Sequence, residues 1–164
     1  HMQSLVDARK RYGNDNDIGY VRPDSHFKNI YTIISFCVST DLTLEEAMVE
    51  INPEITIHAY DHIVGEEVFK KIINRELSRF LRLQFNLSDI RDKMNTLSSY
   101  RSFFTGKRKH FRERIFNRNE TGSDATIEKV FSRLPASKRI FLKMDIEGGD
   151  YRVIQQILER QEQL

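Results

Sequence analysis

A chain of 164 residues with seven Gly and three Pro is too poor in both for a collagen-like or Gly/Pro-driven disordered chain, and its 39% hydrophobic content suits one domain with a core. No apolar run approaches the ~20 residues that a membrane helix needs. Twenty-six Lys and Arg against 24 Asp and Glu leave a net charge of +2, too weak a field to demand nucleic acid or an anionic membrane as partner.

The single cysteine, Cys37, excludes an internal disulfide framework and a multi-Cys zinc site. It agrees with a reducing compartment, and with no signal peptide in view the expected location is cytoplasmic. His1-Met2 reads as the remnant of a cleaved tag, residues 3–28 as an N-terminal segment, and residues 29–164 as the folded domain.

Four apolar, β-branched or aromatic runs alternate with helical patterns, which predicts an α/β domain with a mainly parallel sheet. The first run, Asn29 to Phe36, reads as a buried strand. Thr43-x-x-Glu46 then fits a capping box, and Leu44, Ala47, Met48 and Ile51 follow at helical spacing until Pro53. The second strand, Ile55 to Asp61, stops at an acid. Glu66 to about Leu83 places Phe69, Ile72, Ile73, Leu77, Phe80 and Leu81 on one stripe. Ser88 is placed to cap a further helix through Ile90, Met94, Leu97 and Phe104, with Gly106 at its end.

The third run, Lys109 to Phe116, is so charged that an edge strand is expected. Thr126 opens a short helix that closes before Pro135. The fourth run, Arg139 to Asp145, is the most apolar and reads as central, and Gly149 to about Glu162 turns Val153, Ile154, Ile157 and Leu158 inward. The predicted order is βαβααβαβα, with the strands arranged 3-2-1-4 in the sheet.

Ligands of parallel α/β sheets sit beyond the carboxyl ends of the strands, where strand order reverses. That rule selects Ser35 to Asp41, Asp61-His62, Asn117 to Asp124, and Asp145 to Asp150. Asp61 can accept two hydrogen bonds from a ribose diol; its other reading is a helix N-cap or a solvated loop acid. Asp145 and Glu147 flank Ile146 where the last strand breaks into Gly148-Gly149. Such a pair can bind a divalent cation, accept a proton or fix a cationic ligand, or else serve the following helix N-terminus.

Lys107 to His110, with Arg101, Arg112 and Arg114 and the interleaved Phe103, Phe104 and Phe111, has the residue types of a nucleic-acid surface. A solvated edge strand explains them better. His26, His58, His62 and His110 show no metal-ligand spacing, and His62 beside Asp61 is retained as an adenosine contact or a base. Cys37 reads as a small packed residue, since no nearby feature supplies a base to activate it.

Leu142-Lys143-Met144-Asp145-Ile146-Glu147-Gly148-Gly149-Asp150-Tyr151 resembles the LK-hydrophobic-D-hydrophobic-EG segment of the FkbM-type methyltransferases. Tyr12-Gly13 through Asp17-Ile18-Gly19-Tyr20-Val21 is similar to the same group's DGGYV stretch, and Ser35 to Glu45 to its SFGVGxDxxFE loop. The resemblance implies a Rossmann-like class I methyltransferase fold, S-adenosylmethionine as cofactor, and methyl transfer to a sugar or polyketide-type hydroxyl on a small molecule. It places Ser35, Phe36, Cys37, Val38 and Asp41 along the methionine portion, Asp61 and His62 at the adenosine, and Asp145 and Glu147 as the catalytic pair lining the site, either of them able to serve as base, with a divalent cation on Asp145 as a further option.

The chain departs from that pattern at Cys37 and Ser39, where the family has glycines, and at Ile18. Against the seven strands that the family implies, four are legible here, so a truncated domain is expected, with self-association through the open edge of strand four. The alternative function is a non-catalytic binding or interaction module on the same fold.

Overall fold

The computed structural model describes residues 9–12, 20–23, 27–38, 42–80, 87–118, 122–135, 139–144 and 150–160. Their centre is a wholly parallel sheet built from β3 (Thr32–Phe36), β4 (Thr56–Tyr60), β5 (Arg108–Phe111) and β8 (Ile140–Met144). The order across it is β5-β4-β3-β8, which is the 3-2-1-4 arrangement expected of the four runs. Registers are Ile33 opposite Ile57 and Phe141, and Tyr60 opposite Phe111.

β3 forms where β-branched residues coincide with burial on both faces, and all five of its side chains are buried. Period-two alternation then divides the core. Ile33, Ile57 and Ala59 face α1 (Thr43–Ile51) and the helical pair α2 (Glu66–Phe80) and α3 (Leu87–Phe103). Ile34, Phe36 and Tyr60 face α4 (Ile127–Ser132) and α5 (Asp150–Leu158). The sheet is therefore covered on both sides, a doubly wound α/β arrangement compatible with a Rossmann-like fold.

Several expectations are corrected. Within the N-terminal segment, β1 (Arg9–Tyr12) and β2 (Tyr20–Pro23) pair as an antiparallel hairpin that the polar RKRY run conceals. Leu42, not Thr43, occupies the cap position of α1 and makes no side-chain cap hydrogen bond. Ser88 lies inside α3 rather than before it, and Leu77, Met94 and Leu158 are exposed rather than on packed stripes. Glu76 takes the buried place beside Leu77, with Arg75 and Arg79 each 3.4 Å from its carboxylate.

The third run is split. β5 ends at Phe111, and β6 (Arg114–Ile115) leaves the main sheet to pair in parallel with β7 (Asp124–Ala125). Glu113 drives the break: its carboxylate holds Arg133 and, at 2.8 Å, Lys129, while its N–H turns back onto the Phe111 carbonyl. β8 ends the sheet among the described residues, as the 3-2-1-4 order has it, and its apolar side chains are half-buried where the apolarity of the run pointed to a central strand. Thr126 caps α4 as expected, its hydroxyl accepting from the Lys129 N–H at 3.3 Å.

Candidate functional site

All four strands of the main sheet end on one side, in a row made by Phe111, Tyr60, Phe36 and Met144. From β3 the chain steps to β4 and then β5 in one direction, while β8 lies on the opposite flank. The helices that follow are on opposite faces of the sheet, and a reversal of this kind is where α/β folds form their ligand crevice, which by that rule falls between the ends of β3 and β8.

At the end of β3 the backbone of Cys37 enters the left-handed region, with φ of 55°, and its N–H donates to the Tyr60 carbonyl at 2.9 Å. The turn carries the chain off the strand at the crevice. Phe36 is fully buried, its ring edge-on to Tyr60 at 5.8 Å, and Val38 is buried against the α1 side. Ser35 is also fully buried and spends its hydroxyl as a donor to Glu45 Oε1 at 2.7 Å. Three of the expected cofactor contacts therefore turn their side chains into the protein, and Cys37 is half-buried against the α4 side. Asp41, Asp145 and Glu147 lie outside the described residues, as does the whole of 145–149.

Asp61 follows β4 and is 7% exposed. Its Oδ1 accepts from the backbone N–H groups of Ile63 at 2.7 Å and Val64 at 2.9 Å, the self-capping turn that Asp favours. His62 beside it is exposed. Four residues on, Gly65 lies against the Arg112 side chain, which would have to shift for a Cβ there, since the two would meet at 2.7 Å.

Two histidines are held neutral near these strand ends. Burial pushes His58 down to about 4, with Lys109 and Arg133 adding to the shift, and its ring lies edge-on to Phe111. Burial likewise lowers His110, whose Nδ1 is paired with the Tyr100 hydroxyl, while burial raises Tyr100 to about 12. Glu113 is held below the usual carboxylate range chiefly by its hydrogen bond to Arg133. Beside the first turn of α1, a cavity of about 310 Å³ is lined by residues that include Leu42, Thr43, Glu46, Phe69, Thr96 and Tyr100.

The basic cluster has internal uses. Arg101 pairs with Glu66, Lys107 with Glu54 and Arg114 with Asp124, at 2.6, 2.6 and 2.9 Å. Phe103 is buried, and Phe111 stacks on Tyr60 at 4.9 Å. Among the described residues, no group of three or more His, Cys, Asp or Glu side chains is placed to hold a metal ion, and no helix is long and apolar enough to cross a membrane.

Glu45 and Lys143 are the residues that sequence reasoning passed over. Glu45 is fully buried on α1, with Ser35 on its Oε1 and Lys143 Nζ 3.6 Å away. The signal was present in each case: an acid on the packed side of an amphipathic helix, and a lysine inside the most apolar strand. No family model, curated protein or solved structure matches this chain.

Proposed function

We propose that this chain is an S-adenosylmethionine-dependent methyltransferase that transfers the methyl group to a hydroxyl of a small molecule of sugar or polyketide type. The observation that carries this reading is the reversal of strand order between β3 and β8, with the left-handed turn of Cys37 at the end of β3. The family that Ser35 to Glu45 resembles has a glycine at this position, the residue that adopts such a turn without strain. The residues present fit a charged ligand at this place, since the buried Glu45 keeps one carboxylate oxygen without a hydrogen-bond partner.

When bound, the cofactor supplies an electrophilic sulfonium methyl. The protein's share is positioning: the acceptor oxygen must be held in line with that methyl, and water kept out. In this reading the backbone from Phe36 to Val38 borders the methionine portion, Asp61 meets the ribose through its carboxylate, and His62 lies by the adenosine. Asp145 or Glu147 takes the hydroxyl proton, and Asp145 is the position at which a divalent cation would be held. The cytoplasm is the location that goes with this reading.

The second reading, a non-catalytic module, is favoured by Asp61, whose Oδ1 is spent on two loop amides. Calorimetric titration with S-adenosylhomocysteine separates the two. Saturable one-to-one binding, strengthened in Cys37→Gly, is the expected result. Absence of binding by both parent and Cys37→Gly would overturn the methyltransferase reading.

A further inference from the structure

Glu45 has a side chain of 0% exposure and Lys143 one of 10%, so both charges are withdrawn from water. A buried pair of this kind persists when the hydrogen-bonding capacity of both groups is used, because each unspent donor or acceptor adds its own desolvation cost. Here it is not used. Oε1 of Glu45 takes the Ser35 hydroxyl, but Oε2 is buried with no partner. Lys143 has Glu45 at 3.6 Å, beyond hydrogen-bond distance, and no hydrogen bond of its ammonium is found among the described residues.

The position is as informative as the chemistry. Ser35 and Lys143 are opposite one another in the β3–β8 register, one step before the last pair, Phe36 and Met144. The unspent carboxylate oxygen and ammonium therefore lie beside the crevice that the strand order creates.

We propose that Glu45 and Lys143 together recognise the α-amino-acid end of the ligand, with Glu45 accepting from its ammonium and Lys143 donating to its carboxylate. A metal cation would meet the repulsion of Lys143, and a phosphate that of Glu45. A zwitterion satisfies both and brings no net charge into a site that is itself neutral. Ser35 is a positioning residue, since its hydroxyl fixes Oε1 and leaves Oε2 to the ligand. The proposal rests on the methyltransferase reading and adds to it which side chains read the methionine end.

The test compares two probes, S-adenosylhomocysteine and 5′-methylthioadenosine, which lacks the amino-acid end. They are titrated calorimetrically into the parent, Glu45→Gln, and the double variant Glu45→Gln/Lys143→Met. The double variant removes both charges while keeping an acceptor for Ser35, so that it remains folded if the single variant does not; thermal unfolding verifies this. The expected result is a loss of about tenfold or more in affinity for S-adenosylhomocysteine in the variants, as charge-assisted hydrogen bonds are removed, with affinity for 5′-methylthioadenosine unchanged. Equal losses for both probes would show a structural pair only and overturn the proposal, as would an unchanged preference for S-adenosylhomocysteine in the folded double variant. Failure of both the parent and Cys37→Gly to bind either probe would overturn the methyltransferase reading itself.

Discussion

The N–H of Cys37 donates to the carbonyl of Tyr60 at 2.9 Å, tying the turn after β3 to the last residue of β4. The bond holds a non-glycine residue at φ of 55°, a conformation that costs an L-residue about 1 kcal/mol or more. Replacement by glycine removes that strain at the loss of some packing, so Cys37→Gly should unfold at a temperature equal to or above the parent's. Cys37→Val, whose branched Cβ fits the left-handed region worst, should be less stable by about 1–3 kcal/mol. Thermal unfolding of the two variants checks the order; a more stable valine variant would contradict it.

Asp61 separates a loop role from a ligand role through two substitutions. Asp61→Ala deletes the acceptor of the Ile63 and Val64 amides and should cost about 1–3 kcal/mol in stability. Asp61→Asn keeps a carbonyl oxygen for those amides and should remain near the parent. If the carboxylate also meets the ribose, the asparagine variant loses about tenfold in affinity for S-adenosylhomocysteine while its unfolding temperature holds. An asparagine variant that binds as the parent does confines Asp61 to the loop.

His58 should make stability depend on pH. Its folded-state pKa of about 4 is below the unfolded value of 6.5, so between these limits the unfolded chain takes up a proton that the folded one refuses. Stability from this group is complete above pH 6.5 and is lost as the pH falls toward 4, by at most about 1.4 kcal/mol per unit. Urea unfolding at pH 7, 6 and 5 should show a shallower slope for His58→Phe than for the parent. Parallel slopes would assign the dependence to other groups, His110 foremost.

The outer edge of β8 has no strand beside it among the described residues, and Phe141, Leu142 and Met144 along it are half-buried. An apolar edge of this kind pairs with what it meets. Light scattering during size-exclusion chromatography should therefore show a mass above ~19 kDa that grows with loading concentration. A sharp monomer peak independent of concentration would show that the edge is protected.

The main sheet was legible because each of its strands is a local run. Thr32 to Phe36 is mostly β-branched or apolar, and the helical stripes between runs fix the crossover spacing, so order and direction follow. The break at Glu113 was not legible, since the force that makes it comes from Lys129 and Arg133 on a later helix turn. The same holds at the site. Asp61 marks itself by ending a strand, but the pairing of Glu45 with Lys143 joins residues nearly a hundred positions apart, and no local period records it. Charge within an apolar pattern gave notice that each needed a partner without saying which.

The pairing of β3 with β8 also sets an order of assembly. Ile33 meets Ile57 across a short connection but meets Phe141 only after more than a hundred further residues have been made. Loop closure favours the nearer partner, so β3, β4 and β5 can associate while the end of the chain is still being synthesised. β8 is then added after the other three strands of the sheet, and with it Lys143. Until that strand docks, the nascent protein carries Glu45 beside an incomplete sheet, without the lysine that comes to lie 3.6 Å from its carboxylate.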